Sequence, residues 1–382
     1  MLHALLFSSL AFASQPVGFD EVVAQALAGS PSAAVVSGRL DADLGAALGR
    51  GAPLANPGVE WERVSQEDEV RVTLPLDLAG QPFARTALGR ALGDAARARA
   101  EGDRAALAAL VGMAYLDLVL AEERGRLADR VADLARAARQ AADALYEAGE
   151  LAPADLAVAR ADAGRRAAEA AQARQAVTTA RLVLEVVLGR SPVGEVGSVG
   201  WPTLAEPEDI DPATLPVMRA ADAESRAAGA ELTLSRMALV PSPEVMGGWT
   251  EAGGGIVGVR VEVPLFAPGL GGVREARGDN AVALASAQAT RLEVEAEGER
   301  LRLAVGAATE AWDAVRVPGL AEALGDVTEA WSAGEYGYAD YSARTSALLE
   351  ALEVELSARH ALEGARVELW RWAGQPPREV VP

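Results

Sequence analysis

The residues of this chain that could carry chemistry are mostly carboxylates. The sequence has 55 Asp and Glu against 35 Lys and Arg, two histidines and no cysteine. The lack of cysteine excludes disulfides, thiolate metal sites, thiol catalysis and lipid attachment through an N-terminal cysteine. His3 and His360 are too far apart to form a local metal motif. No nucleophile elbow, phosphate-binding loop or histidine pair at helical spacing occurs, so neither an enzyme nor a cofactor is expected.

Charged and apolar residues alternate along two stretches, with the period of a β-strand. Val70, Val72, Leu74, Leu76 and Leu78 alternate with Arg71, Thr73 and Asp77, after a strand at Gly58–Val64 and a polar stretch at 65–69. Val257, Val259, Val261, Val263 and Leu265 alternate with Arg260 and Glu262, after a strand containing Val245 and Trp249. These patterns predict hairpins at 58–78 and 243–266, each with one apolar and one charged face.

The chain contains an internal duplication. Ser30-Pro31 corresponds to Leu215-Pro216, Ala148-Gly149-Glu150 to Ala333-Gly334-Glu335, and Gly189 to Gly374, each 185 residues later (216 − 31, 334 − 149 and 374 − 189). We therefore predict a first repeat at 18–190, a linker at 191–214 and a second repeat at 215–374, followed by a C-terminal tail at 375–382. Neither repeat can bury its apolar faces alone, so the two copies are expected to form one intertwined protomer.

Long helices must position these hairpins and turns, since the chain is rich in Ala, Leu, Arg and Glu. A helix from about Pro82 to Ala148 would be roughly 100 Å long. Its apolar residues from Leu127 to Leu145 recur at spacings of three and four, typical of a coiled-coil seam. With its return after Pro153 it predicts a helical hairpin at 82–190. A matching helical hairpin is predicted at 270–374.

The N-terminus is typical of a short secretory signal. Residues 4–13 are apolar, and Ala11 and Ala13 precede Ser14-Gln15-Pro16, so cleavage of residues 1–13 is expected. The apolar run has no preceding basic residue, which leaves open an upstream start codon.

No other apolar stretch of about 20 residues is found, so insertion into a membrane would use β-strands. The net charge of −20 argues against a nucleic-acid partner.

The two hairpins allow two interpretations. Their apolar faces could pack on the protein's own helices, or they could face lipid on the outside of a membrane barrel. Four strands are too few to close a barrel, so the second interpretation requires an oligomer.

The order of motifs along the chain resembles the outer-membrane efflux proteins of the TolC type. The residues that carry the resemblance are Pro75-Leu76-Asp77-Leu78-Ala79-Gly80 after the first hairpin, Tyr146-Glu147-Ala148-Gly149-Glu150-Leu151 followed by Asp155-Leu156, and Leu188-Gly189. The resemblance spans nearly the whole chain and includes the duplication. It implies a mainly α fold with a small β part, in which duplicated long-helix hairpins form an α-barrel. It also implies that each subunit of a homotrimer donates four strands to one outer-membrane β-barrel in contact with lipid.

The function implied by the resemblance is the exit duct of a tripartite efflux or type I secretion system, with its helical part in the periplasm. A periplasmic adaptor and an inner-membrane pump would dock at the turns between long helices, which also form the entrance. Those turns map to Gly149, Glu150, Asp155, Gly334, Glu335 and Asp340. The strand charges that would face the barrel lumen are Glu60, Glu62, Arg71, Arg260 and Glu262.

Three points stay open at this stage. Asp155 and Asp340 would equally stabilise the N-terminus of the returning helix by their charge. Tyr336 and Tyr338 surround the place where some family members carry a basic residue, and Ala343 stands where a further acidic residue can occur, so gating is not predicted. The alternative function is an exported coiled-coil scaffold without a pore, and the cargo, whether drug, metal or protein, is not specified by the sequence.

Overall fold

A computed structural model describes residues 18–53, 57–64, 67–76, 80–189, 201–207, 210–240, 243–250, 254–261 and 270–380. The elements in chain order are α1 (Phe19–Gly29), α2 (Pro31–Arg50), β1 (Gly58–Val64), β2 (Glu67–Pro75), α3 (Gln81–Glu147), α4 (Pro153–Leu188), a 3-10 turn (Pro212–Thr214), α5 (Pro216–Met237), β3 (Pro243–Thr250), β4 (Gly255–Val261), α6 (Leu270–Val315), α7 (Leu320–Ser332) and α8 (Tyr338–Trp372). The fold is therefore mainly helical with one small sheet, as predicted.

The chain packs as two compact units, and each contains parts of both repeats. The sheet unit consists of Val35–Asp103 and Asp209–Gly298. The turn unit consists of Met1–Ala34, Arg104–Glu208 and Glu299–Pro382.

The sheet unit holds all four strands in the antiparallel order β1-β2-β3-β4. The central pairing, β2 with β3, joins the hairpin of one repeat to the hairpin of the other and places Val72 opposite Gly247. Within the part of the chain that the structure describes, the outer edges of β1 and β4 have no strand partner.

The helices of the sheet unit follow the order of the strands to which they connect. α2 approaches α3 closely where Gly51 meets Gly89, since a Cβ on Gly51 would lie 2.7 Å from the Gly89 Cα. Leu88 and Ala91 of α3 pack with Ala227 of α5. A Cβ on Gly229 of α5 would lie 3.5 Å from the Asn280 Oδ1 of α6. The row is therefore α2, α3, α5, α6, with α2 and α6 at its edges.

The main core of the turn unit gathers side chains from α1, α3, α4 and α8. Phe19 meets Tyr115 edge to face, with ring centroids 5.3 Å apart, and both residues are inaccessible to solvent. Among the described helices, only α3 has a window with the length and hydropathy of a membrane span. That window has a mean hydropathy of 1.7, and 61% of it is buried within the protein.

The turns of the two predicted repeats have the same backbone geometry. Gly149 and Gly334 adopt left-handed φ values of +77° and +82°. The Glu150 N–H donates to the Leu145 carbonyl at 2.9 Å, and the Glu335 N–H donates to the Ala330 carbonyl at 3.1 Å. Corresponding groups are 185 residues apart in both bonds (335 − 150 and 330 − 145).

Two elements differ from their predicted extents. β2 begins at Glu67 and ends at Pro75, whereas a strand at 70–78 was predicted, and residues 77–79 lie outside the described ranges. The helix that precedes the turn of the second repeat is divided, because α6 ends at Val315 and α7 begins at Leu320. Pro318 lacks an N–H donor for helical bonding, and Gly319, at φ +85°, forms the N-cap of α7. The predicted signal at 1–13 and part of the linker at 191–214 also lie outside the described ranges.

Candidate functional site: the amphipathic sheet and the helical turns

One face of the sheet is apolar and exposed. Because antiparallel partners share a face, the register aligns Val59, Val72, Gly247 and Val257 in one row. A second row contains Trp61, Val70 and Trp249. Trp61 is 65% exposed, Trp249 67% and Val257 87%. Exposed large apolar side chains in adjacent rows form a continuous patch, which is typical of contact with another protein or a membrane.

The opposite face of the sheet carries charges. In the strand register, Glu60 lies opposite Arg71 across β1 and β2, and Glu244 lies opposite Arg260 across β3 and β4. The Arg71 guanidinium also contacts the Glu69 carboxylate at 2.7 Å. Two apolar rows on one side and paired charges on the other give the alternation of a barrel wall.

The structure brings together three of the five charges predicted to face a lumen. Glu60, Arg71 and Arg260 lie on the charged face. The Glu62 backbone lies in β1, but its side chain is outside the described part of the structure, as is all of Glu262. Glu244 was not predicted to face the lumen. It precedes Val245 on β3, so the alternation of side chains along the strand could have placed it on the charged face.

The predicted turn residues lie in the turn unit and are all exposed: Gly149, Glu150, Asp155, Gly334, Glu335 and Asp340. Asp155 and Asp340 occupy the same position, since each is the third residue of its helix, α4 or α8. The N-cap residues, Ala152 and Gly337, make no side-chain capping bond. The two aspartates therefore supply the negative charge that favours each helix N-terminus.

An aromatic cluster supports the second turn. The Trp331 and Tyr341 rings stack with centroids 5.0 Å apart, and the Tyr338 ring meets Trp331 edge to face at 5.6 Å. Leu156 of α4 packs in the same cluster, so both helical hairpins meet there. Burial, and secondarily the Asp162 carboxylate, raises the pKa of Tyr338 to about 12, so its hydroxyl stays protonated at neutral pH.

The two tyrosines noted beside the second turn have different environments. Tyr338 is buried in the aromatic cluster, whereas Tyr336 is half-buried. The Tyr336 hydroxyl donates to the Val327 carbonyl, and the Arg344 guanidinium lies 4.9 Å from the Tyr336 ring centroid. The contacts of Tyr336 therefore hold the second helical hairpin together.

The part of the predicted linker at 201–207 is fastened to α8. The buried Glu363 carboxylate accepts the Leu204 N–H at 3.1 Å and pairs with Arg366 at 3.2 Å. The Trp370 indole N–H donates to the Ala205 carbonyl at 2.7 Å. Burial raises the pKa of Glu363, while the Leu204 N–H and Arg366 oppose this shift. These contacts were not predicted, because they join residues far apart in sequence.

Comparison with known proteins relates the sheet and the helical turns to an established family. Residues 43–190 match the model of the outer membrane efflux protein family. The match covers 148 of the 382 residues. The matched range includes the first hairpin, α3, the first turn and α4, and it confirms the resemblance expected from the motif order.

Curated proteins similar to this chain include metal-resistance proteins. The chain is 29% identical over 241 residues to the nickel-cobalt-cadmium resistance protein NccC of Alcaligenes xylosoxydans xylosoxydans, covering 60% of this chain and 55% of NccC. The matched region thus spans about half the length of that relative. It is also 29% identical over 311 residues to the nickel and cobalt resistance protein CnrC of Cupriavidus metallidurans, covering 76% of this chain and 73% of CnrC.

The fold of the chain is similar to that of solved outer-membrane channels. The Campylobacter jejuni CmeC outer membrane channel superposes with a TM-score of 0.72 at 13% identity, covering 93% of this chain and 85% of CmeC. At this identity the likeness shows a shared fold. Within the described ranges, no group of three or more His, Asp or Glu side chains is placed to hold a metal ion.

Proposed function

We propose that three copies of this chain assemble into the outer-membrane exit duct of a tripartite efflux system. The observation that carries the proposal is the sheet, which has one exposed apolar face, one charged face and two edges without a strand partner. A duct of this kind needs no catalysis, and we propose no enzymatic activity for the chain.

The stoichiometry follows from the number of strands. One chain supplies four strands, too few to close a barrel around a channel, whereas three copies supply twelve (3 × 4). Closing a sheet into a barrel also pairs β1 of one copy with β4 of the next, which satisfies the open edges. The apolar rows would then face lipid, while Glu60, Arg71, Glu244 and Arg260 would line the lumen together with Glu62 and Glu262.

The exposed turns are proposed as the periplasmic entrance and the docking surface for an adaptor and an inner-membrane pump. Asp155 and Asp340 lie at equivalent positions in the two repeats. Three copies would therefore present six aspartates (3 × 2) at one end of the duct. Each also stabilises its own helix, so a role at the entrance adds to the structural role. We also propose that the chain is divided into repeats at 18–190 and 215–374, joined by a linker at 191–214.

We further propose that the cargo is a divalent transition-metal cation. Two relatives are named for resistance to nickel, cobalt or cadmium. A chain with a net charge of −20 also attracts cations by its overall field. The metal here is transported substrate and is not a resident cofactor.

Deletion of the gene in its host tests this function. We expect increased sensitivity to nickel, cobalt or cadmium salts, restored by the wild-type chain. Unchanged sensitivity to metals with increased sensitivity to organic drugs would refute the metal cargo and leave the duct intact. A protein that stays monomeric and soluble without detergent would instead favour the exported coiled-coil scaffold.

A further inference from the structure

The helices of the sheet unit carry exposed apolar residues at the ends that connect to the strands. Leu48 lies in the last turn of α2, Phe83 is the third residue of α3 and Leu270 is the first residue of α6. Their exposed fractions are 77%, 83% and 63%. These three apolar end residues therefore present a hydrophobic surface directly below the sheet.

The apolar end residues lie on the same side as the apolar face of the sheet. Leu76 continues the apolar alternation of β2, and its N–H donates to the Pro243 carbonyl of β3 at 2.8 Å. In a strand of L-residues, the direction of that bond fixes on which hand β3 lies when the sheet is seen from its apolar face. The right-handed winding of the helices, in the row α2, α3, α5, α6, then places the apolar end residues on that face. We call it the outward side.

Two arginines follow two of the apolar end residues at equal spacing. Arg90 lies seven residues after Phe83 in α3, and Arg277 lies seven residues after Leu270 in α6 (90 − 83 and 277 − 270). Both pairs share an offset of 187 residues (270 − 83 and 277 − 90). Seven residues are almost two helical turns, so each arginine lies on the outward side and about 10 Å further from the sheet. Arg274, one turn after Leu270, lies on the same side of α6.

These three arginines have no partner within the described ranges. Arg90, Arg274 and Arg277 are exposed, and none of their side chains forms a hydrogen bond or an ion pair with a described residue. By contrast, Arg97, a further seven residues along α3, pairs with Asp94 at 3.3 Å. The three guanidinium groups are therefore available to an anion from outside the protomer.

The acidic residues near the start of α6 lie on its other side. Glu275 and Asp279 come five and nine residues after Leu270, and helical geometry places both away from the outward side. The outward side is thus locally basic in a chain whose net charge is −20. A chain with this net charge is repelled by anionic surfaces in general, so a local excess of arginine selects the place where one can approach.

The spacing of these residues matches the layers of a lipid leaflet. The proposed duct places the apolar face of the sheet in hydrocarbon, and the apolar end residues then lie at the boundary on the periplasmic side. The headgroup region of one leaflet is about 5–8 Å thick. Side chains of a helix tilt towards its N-terminus, which is the sheet end of both α3 and α6, so Arg90 and Arg277 reach back towards the headgroups.

We infer that Arg90, Arg274 and Arg277 bind the phosphate groups of anionic phospholipids in the leaflet that faces the periplasm, while Phe83 and Leu270 contact the acyl chains. The inference rests on the proposed function, which sets the depth of the sheet. A guanidinium can donate two parallel hydrogen bonds to one phosphate. Three copies would carry six such sites (3 × 2), because each copy has one on α3 and one on α6.

Native mass spectrometry of the full chain in detergent tests the contact. The protein is titrated with phosphatidylglycerol, which is anionic, and separately with phosphatidylcholine of the same acyl chains, which has no net charge. The double variant Arg90→Gln/Arg277→Gln removes one arginine from each site. We expect its apparent Kd for phosphatidylglycerol to rise about fivefold, the effect of one arginine near an anionic lipid surface. Its Kd for phosphatidylcholine should not change.

The matched control is Arg104→Gln/Arg291→Gln. Each of these exposed arginines lies fourteen residues further along the same helix than the one it replaces in the test, at nearly the same angle around the helix (104 − 90 and 291 − 277). The control loses the same charge, so its affinity for phosphatidylglycerol should equal that of the wild type.

The same spectra separate failure of the lipid site from failure of the duct. Equal affinities of both double variants for phosphatidylglycerol, with a trimeric wild type, would overturn the lipid site and leave the duct proposal standing. A wild type that is monomeric in these spectra would overturn the duct proposal itself. Inorganic phosphate in excess should not displace phosphatidylglycerol, because it lacks acyl chains. Displacement would indicate a site for free anions and contradict the assignment to a headgroup.

A second variant tests the apolar part of the site. Phe83→Ser/Leu270→Ser changes two exposed side chains, so the folded protomer should be preserved. This variant should weaken binding of both lipids by the same factor, since their acyl chains are identical, whereas the arginine variant should affect phosphatidylglycerol alone. Wild-type affinity of the serine variant for both lipids would refute the contact with acyl chains.

Discussion

Trp61 and Trp249 lie in one row of the sheet, on either side of Val70 and on the same face. They come from different repeats, and about two-thirds of each residue is exposed. Large aromatic side chains exposed on one face in this way are poorly suited to water but well suited to a lipid boundary. The row links the pairing of the two hairpins to the proposed membrane face.

A charged substitution on the apolar face of the sheet should reduce insertion of the protein into the membrane. Val72→Arg places a guanidinium on the exposed apolar face, and we expect a loss of about 2–4 kcal/mol if the site lies near the bilayer midplane. The variant should reach the outer-membrane fraction in reduced amount, measured by fractionation and immunoblotting. Thr73→Arg, at the next residue and on the charged face, is the matched control. Equal insertion of both variants would contradict the assignment of the faces.

The stability of the first turn should depend on glycine at position 149, because the backbone there is left-handed. Gly149 has a φ of +77°, and a Cβ there would meet no atom within 4 Å, so Gly149→Ala should cost about 1 kcal/mol from the left-handed conformation alone. Gly164→Ala, within α4, should instead stabilise the protein by up to about 1 kcal/mol. Chemical unfolding in detergent measures both changes. A destabilised Gly164→Ala variant with an unaffected Gly149→Ala variant would be the reverse of this expectation.

The aromatic cluster should contribute most of the stability near the second turn. Trp331 is buried, and Trp331→Ala should cost about 3–5 kcal/mol and expose the adjoining helices to protease. Tyr146 is the equivalent residue of the first repeat (331 − 146 = 185) and is 43% exposed. Tyr146→Ala should therefore change stability by less than about 1 kcal/mol. Limited proteolysis and thermal unfolding can compare the two variants, and similar cleavage rates would argue against the cluster's role.

Glu363 should make stability depend on pH. Its pKa is raised in the folded state, chiefly by burial, so the folded protein binds a proton more readily than the unfolded chain. The contribution of Glu363 should therefore increase as the pH falls through the raised pKa. It should be complete below the ordinary pKa of glutamate and lost as the pH rises above the raised value.

The variant Glu363→Gln isolates this effect. It keeps an oxygen that can accept the Leu204 N–H but cannot ionise, so the difference in unfolding free energy between wild type and variant should change with pH across that window. Urea unfolding at a series of pH values measures the difference. A constant difference would mean that Glu363 does not titrate between the folded and unfolded states.

The parts of the structure that were predictable depend on local patterns. Alternation around Arg71 and Arg260 was sufficient to assign both faces of the sheet, because side chains of a strand alternate strictly. The turn glycines were found because Gly149 and Gly334 recur at a fixed spacing. In contrast, the bond between Leu204 and Glu363 joins residues 159 positions apart, and no local pattern indicates it. The break before α7 was missed even though Pro318 was visible, because the apolar spacing resumes at Leu320.

Single-channel recording tests the central claim most directly. The purified protein is added to a planar lipid bilayer under voltage, together with a matched preparation of Val72→Arg. We predict discrete conductance steps for the wild type, which elutes as a trimer, and a strongly reduced frequency of insertion for the variant. A well-folded wild-type trimer that never conducts would contradict the conclusion that this chain forms a channel.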